Sequence, residues 1–224
     1  MRAVKSLLVM AGSLKRAEPN LEEDSILIKA MKSSNIPKFL KADIPLFTSL
    51  IYDLFPTIKI PEAVVSKLEE MLPGELIKMK MQPYAPFQEK VIQLFDTFNV
   101  RFGVMLVGVS GSGKTTCYKT LAHASNTMKA QGEANFFKVE YRVLNPKSIS
   151  MGELYGEVDV FTQEWMDGLA SSLIREVNTN QIDDPTWDPS GRYWVVFDGP
   201  VDALWIENMN TVLDDNMTLC LANS

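Results

Sequence analysis

Apolar positions along the chain follow two rhythms, and the change between them falls near residue 87. Before it, they recur at three- and four-residue spacing between prolines. Residues 2–15 are amphipathic and predict a helix. Pro19-Asn20 starts a second helix, with Asn20 as its N-cap and Glu23 three residues on, in capping-box spacing. Asp43-Ile44-Pro45 opens a third that carries Leu46, Leu50, Ile51 and Leu54 on one face and stops before Pro56. Pro61-Glu62 begins a fourth, ended by Pro73-Gly74. Residues 73–86 read as a connector rich in proline and methionine. No strand pattern interrupts this stretch, so a small all-helical unit is expected.

From Phe87 the grammar differs. Residues 87–98 predict a helix, and Gly103-Val104-Met105-Leu106-Val107 is a continuous apolar run of strand length. Such a run suggests a strand buried on both faces, as in the centre of a parallel sheet. Residues 114–128 return to helical period, with Cys117, Leu121, Ala124 and Met128 on one stripe. Phe137, Val139, Tyr141 and Val143 alternate with Lys138, Glu140 and Arg142, which marks a strand at a sheet edge. Residues 163–177 predict a helix with Trp165, Leu169, Leu173 and Val177 aligned. A polar loop, 178–192, leads to a second buried strand, Tyr193–Phe197. A last helix from about Val201 carries Leu204, Trp205, Met209 and Val212. Strands alternating with helices predict an α/β fold with a parallel sheet.

Composition narrows the function. A chain of 224 residues makes one large domain or one and a half small ones. With 46% hydrophobic and 22% charged residues it reads as ordinary globular protein, neither disordered nor fibrous. The net charge of −6 argues against binding nucleic acid through its phosphates. Cys117 and Cys220 form no disulfide framework, and a single histidine, His123, rules out a multi-histidine metal site. A reducing compartment fits this cysteine usage. Apolar runs reach only about five residues, too short for a membrane span. Arg2 and Lys5 ahead of Ser6–Gly12 imitate a targeting peptide, but Lys15-Arg16 follows at once, and an amphipathic helix is the better reading.

The chemistry concentrates at Gly108-Val109-Ser110-Gly111-Ser112-Gly113-Lys114-Thr115, which fits the phosphate-binding pattern G-x-x-x-x-G-K-[ST]. Glycines let the backbone curl so that successive N–H groups face an anion, and the next helix adds its positive N-terminus. Lys114 is expected to reach the β- and γ-phosphates, with the Thr115 hydroxyl on Mg²⁺ and Thr116 completing the set. The loop stands between an apolar run and a helix, where this physics needs it. The partner acid is Asp198, directly after Tyr193–Phe197, expected to hold Mg²⁺ directly or through water. ATPases of the AAA+ type normally follow that aspartate with a glutamate that readies the attacking water. Here the residue is Gly199. Losing such a group typically costs about 10²–10⁴ in rate, so binding should survive while turnover is slow or absent. Gly199→Glu is the gain test this suggests. Asp202 and Glu207 lie close enough in sequence to substitute, although capping or solvated roles suit them better.

Other strings carry less. Asp188-Pro189-Ser190-Gly191 matches a GTPase D-x-x-G, but it precedes its strand, and no N-K-x-D occurs. No L-S-G-G-Q-type signature is present, which argues against a transporter ATPase. His123 reads as a packing or surface residue, and Cys117, on the apolar stripe, as inert core.

The run from Trp194 through Asp198-Gly199-Pro200-Val201-Asp202 to Asn216 resembles the second AAA+ module of dynein heavy chains, especially the axonemal class. Leu144-Asn145-Pro146-Lys147, Met151–Gly156 and Gly103–Thr116 are similar to the same module. Met1–Ser6 through Lys15-Arg16, Asn35–Leu40 and Asp43–Pro56 resemble the end of the first module. The resemblance implies a P-loop NTPase (AAA+) fold, incomplete. Residues 1–55 would be the lid subdomain of the preceding module, with Arg2 as its second-sensor arginine. Residues 56–82 would be a helical connector and 83–224 a large subdomain truncated at its C-terminal end. It implies ATP and Mg²⁺ as ligands, a site that binds without hydrolysing, and hairpin insertions between Lys114 and Asp198. So few residues follow Asp198 that the first-sensor strand, the arginine finger and the module's own lid are expected to be missing. The chain then reads as a piece or short product of a motor heavy chain that cannot walk by itself.

The implied partners are adjacent AAA+ modules and other dynein subunits, with microtubules reached only through parts not present here. No membrane or nucleic acid is implied. The implied setting is the cytoplasm and cytoskeleton, in the ciliary axoneme. Three other readings stay open: a working NTPase using Asp202 or Glu207, a phosphotransferase with a small acceptor, and an inert truncated product. The phosphotransferase would need lid arginines, and after Lys114 only Arg142, Arg175 and Arg192 are offered.

Overall fold

Among the described residues, proline spacing and helical periodicity translate into five α-helices before the glycine-rich loop. The computed structural model describes residues 2–40, 42–56, 58, 67–99, 101–133, 136–183, 191–213 and 217–221. Helix α1 spans Arg2–Ala17, α2 Glu23–Asn35, α3 Ile44–Leu54, α4 Lys67–Lys78 and α5 Ala85–Phe98, with a 3₁₀ turn at Ile36–Lys38. The chain divides into two compact units, Met1–Leu121 and Ala122–Ser224. Among the described residues no helix is long and apolar enough to cross a membrane.

In the first unit α1 packs on α2, and α5 packs on both α2 and α4. Leu68, Leu72 and Leu76, four residues apart, bury one stripe of α4, and Val91 and Leu94 do so for α5. Glu75 is buried within α4 and accepts from Lys78 one turn on, at 2.6 Å. Asp96 of α5 lies half-buried, its carboxyl pushed up to about 6 by burial against the opposing pull of Lys29. Lys29 itself pairs with Glu18 at 2.5 Å.

Several expectations for this part need correction. Helix α2 starts at Glu23 rather than after an Asn20 cap, and the residue at its cap, Glu22, makes no side-chain capping bond. Pro73-Gly74 does not end α4, which runs on to Lys78. Burial of the leucine stripe outweighs the lost backbone bond of one proline. The connector expected over 73–86 is therefore helix at its start and helix again from Ala85. The expected helix start at Pro61-Glu62 lies outside the described residues. Of the apolar face of α3 only Ile51 is buried, while Leu46, Leu50 and Leu54 are exposed. Residues 103–107 form no strand: among the described residues they join no sheet, and Val107 is 84% exposed. An apolar run states that a segment seeks burial, but a strand exists only where a neighbour supplies hydrogen bonds.

The second unit holds the sheet. Helix α6, Lys114–Ala130, leads into it and buries Cys117, Leu121, Ala124 and Met128 as one stripe. Strand β1, Val139–Leu144, begins against the side-chain amide of Asn126. That amide accepts from Val139 N–H at 2.6 Å and donates to its carbonyl at 2.9 Å. Helix α7, Met151–Tyr155, carries a capping box between Ser150 and Glu153. Strands β2, Gly156–Val158, and β3, Trp165–Asp167, form an antiparallel hairpin. Helix α8 covers Leu169–Asp183 and strand β4 Arg192–Phe197, followed by short helices α9, Ala203–Glu207, and α10, Asn210–Leu213. Strand β4 pairs parallel with β1, Val139 opposite Arg192 and Leu144 opposite Phe197. The core gathers Leu144, Leu154, Tyr155, Ala170, Trp205 and Met209. Trp205 stacks on Phe197 with centroids 5.4 Å apart.

Four expectations change here. The helix expected over 163–177 starts only at Leu169, because Trp165–Asp167 is committed to the hairpin. Gly168 marks the break: a Cβ there would lie 2.5 Å from the backbone of Gly156 and of Leu154. The loop expected over 178–192 is helix as far as Asp183. Strand β4 is half-buried along its length rather than buried on both faces. The last helix is divided in two, with Trp205 and Met209 inward as expected but Leu204 exposed.

Candidate functional site

The residues expected to hold phosphate lie in the first unit, on the loop that enters α6. Two of its glycines adopt left-handed backbone, Gly111 at φ +77° and Gly113 at φ +85°. A side chain would be strained at either. Gly113 also runs close to Phe87 of α5, where a Cβ would stand 3.4 Å from the ring. At Gly108 a Cβ would meet Ser112 Oγ at 2.9 Å, so the curl is tight across its mouth. Ser112 N–H donates to Val109 O at 3.3 Å within the loop.

Lys114 turns back over this curl. Its Nζ donates to Gly108 O and Val109 O, each at 2.8 Å. Cys117 N–H donates to Gly113 O at 2.8 Å as the helix begins. The N–H groups of Lys114, Thr115 and Thr116 therefore stand ahead of the helical ladder, at the positive end of α6. Val109, Ser110 and Thr115 are exposed, and Thr116 is half-buried. This is an ammonium and a helix N-terminus on one glycine-lined turn, an arrangement suited to a polyanion. Further along α6, burial pushes the Cys117 thiol up to about 11, against a smaller opposing effect of Lys90, so it stays protonated. His123 is exposed.

Asp198 lies in the second unit, one residue past β4. Its N–H donates to Leu144 O at 2.8 Å, which extends the β1–β4 ladder by one step, and its side chain is exposed. Gly199 follows without left-handed strain, but in little space. A Cβ there would stand 2.8 Å from Asn145 Oδ1 and 3.2 Å from Pro146 Cδ. Pro200 O accepts from Trp205 Nε1 at 3.1 Å. Asp202 caps α9, accepting from Leu204 N–H at 3.0 Å, and forms an ion pair with Lys147. Those bonds, the Lys147 one foremost, hold its carboxyl below the usual range. Glu207 is exposed at the end of α9. Residues 188–190 of the D-x-x-G string lie outside the described residues.

The turn Asn145-Pro146-Lys147-Ser148 escaped the sequence reading of the site. Its signal was present, since Asn-Pro favours a turn start, but nothing in one dimension ties it to Gly199. In space the parallel register of β1 and β4 ends both strands together. Asn145 and Asp198 therefore leave side by side.

A family model described as the hydrolytic ATP binding site of the dynein motor region matches residues 1–115. Dynein axonemal heavy chain 6 of Homo sapiens is 51% identical over 226 residues, covering 100% of this chain and 5% of that protein. Dynein axonemal heavy chain 1 of Homo sapiens is 47% identical over 226 residues, with the same coverage. Dynein axonemal heavy chain 3 of Mus musculus is 45% identical over 221 residues, covering 99% of this chain and 5% of the relative. The chain thus spans about a twentieth of the length of these relatives.

Proposed function

The chain belongs to the dynein heavy chains, in their axonemal class, and from that premise we propose that it binds Mg-ATP at the Gly108–Thr116 loop with little or no hydrolysis there. The observation that carries this reading is the loop itself. Two left-handed glycines, the close approach of Gly108 to Ser112, and Lys114 folded across the curl make a glycine-lined turn closed by a positive charge. The donor set suits the ligand: an ammonium and backbone N–H groups for phosphate, and hard oxygens from Thr115 and Asp198 for Mg²⁺. Thr115 and Asp198 would be its ligands, and the metal would supply charge neutralisation to a bound triphosphate. On binding, Lys114 would exchange its two neutral carbonyl partners for phosphate oxygens, a stronger pairing because both sides are charged.

Turnover lacks its carboxylate. Residue 199 has no side chain, and Asp202 is committed to Lys147 and to the cap of α9, with its basicity lowered. The family described as a hydrolytic ATP binding site matches residues 1–115, which include Gly108–Thr115 but neither Asp198 nor Gly199. We read residues 1–55 as the lid of the preceding AAA+ module, with Arg2 serving that module's nucleotide, 56–82 as a connector, and 83–224 as part of the next large subdomain. The hairpin β2–β3 is one of the insertions that lengthen this module. Bound nucleotide would tie neighbouring modules so that conformational change passes between them. The working place is the axoneme of the cilium, with other dynein subunits as companions and microtubules reached through other parts of the heavy chain.

The test is equilibrium Mg-ATP binding beside single-turnover hydrolysis, with Lys114→Ala as control. Binding that Lys114→Ala abolishes, without product formation, is the expected result. Brisk turnover in the unaltered chain sinks the reading.

A further inference from the structure

The segment that carries Asp198 is held at four points. Asp198 N–H is fixed to Leu144 O at 2.8 Å, and Gly199 lies against Asn145 and Pro146. The carbonyl of Pro200 accepts from Trp205 Nε1, and the carboxylate of Asp202 is paired with Lys147. Trp205 is itself anchored, since its carbonyl accepts from Tyr155 Oη at 2.6 Å. The facing turn is just as fixed. Asn145 Oδ1 accepts from Lys147 N–H at 3.0 Å, and Asn145 O accepts from Ser148 N–H at 3.2 Å and from Ser148 Oγ at 2.8 Å. The next residue, Pro146, cannot rotate away. So the atoms that a Cβ at 199 would strike are two members of a built turn and cannot yield like the end of a mobile side chain.

We propose that Asn145 is a positioning residue that closes position 199 to any side chain, so that the missing hydrolytic carboxylate is enforced by two loops rather than by one glycine. The functional half of this rests on the reading of the site as an ATP-binding one; the steric half does not. A glutamate at 199 would have to displace the Asn145 carboxamide, breaking its bond to Lys147 N–H and disturbing the pair that Lys147 makes with Asp202. Asp198 would then lose the fixed setting from which it meets a metal. Gly199→Glu alone therefore fails as a gain of function. The same change with Asn145→Ala, which removes both Oδ1 and Cγ from the contact, makes room.

A double-mutant cycle on the whole chain decides it. Gly199→Ala is expected to lower the thermal midpoint by roughly 3–8 °C, the range for overpacking in a chain of this size. In an Asn145→Ala background the same change should cost less than half as much. An equal cost in both backgrounds, or none in either, overturns the proposal. Single-turnover ATP hydrolysis then reads the part that plain stability would not move. Gly199→Glu with Asn145→Ala should exceed Gly199→Glu alone by at least about tenfold. If the single change is already as fast, or the pair gains nothing, Asn145 is not what withholds hydrolysis. A parent chain that binds no Mg-ATP would refute the proposed function, while the thermal cycle would still judge the steric claim.

Discussion

Gly111 and Gly113 separate two costs that a glycine can avoid. Both have positive φ, but a Cβ at 111 meets nothing within 4 Å, whereas one at 113 meets Phe87. Gly111→Ala should cost about 1–2 kcal/mol from backbone strain alone, and Gly113→Ala more. Chemical denaturation of both variants checks the order. Asp96 offers a pH test. Its folded value of about 6 lies above the ordinary carboxylate value, because burial disfavours the charge more than Lys29 favours it. Folding therefore takes up a proton between about pH 4 and pH 6. The stability from this group is full below that window and is lost as pH rises through 6. Asp96→Asn should flatten this slope and stabilise the fold by about 1–2 kcal/mol at pH 8, measured as denaturation midpoints across pH. At this scale the glycine-lined turn ahead of α6 was legible, because its backbone geometry is local in sequence. The role of Asn145 was not, since it depends on which strand lies beside which.

Among elements, glycines again distinguish propensity from packing. Gly74 sits inside α4 with open space where a Cβ would go. Gly74→Ala should stabilise by about 0.5–1 kcal/mol. Gly156, at φ +121°, has Trp165 atoms and Met166 O within 2.3–2.9 Å of where its Cβ would fall. Gly156→Ala should therefore destabilise by roughly 3 kcal/mol or more, enough to spring the β2–β3 hairpin. Near-ultraviolet circular dichroism of Trp165 together with the unfolding midpoint tests this. Long periodic helices such as α1, α5 and α6 could be read from the chain within about two residues. The three-residue strands of the hairpin could not, because the spacing of Trp165, Leu169, Leu173 and Val177 also suits a helix. Close backbone approach at Gly168 chose between them.

For the molecule as a whole, ligand binding should appear as stability. If the loop binds Mg-ATP and the unfolded chain does not, a concentration of 100 times Kd adds about 2.7 kcal/mol. Thermal unfolding with and without Mg-ATP should show that gain in the unaltered chain and none in Lys114→Ala. A shift of equal size in both would assign the binding elsewhere. A Mg²⁺-dependent gain that is lost in Asp198→Ala would assign a metal ligand to Asp198.

Local chemistry and periodicity alone decided the extents of the long helices α1, α5 and α6, the positions of strands β1 and β4, and the glycine-lined turn ahead of α6. Those features depend on residues within a few positions of one another, where backbone sterics and burial stripes act directly. Pairing, exposure and crowding belonged to the tertiary structure. It left residues 103–107 outside any sheet, continued α4 through Pro73, placed Trp165 in a hairpin, and set Asn145 against Gly199. Each of these turns on what a distant segment brings alongside, a quantity that one-dimensional spacing does not contain.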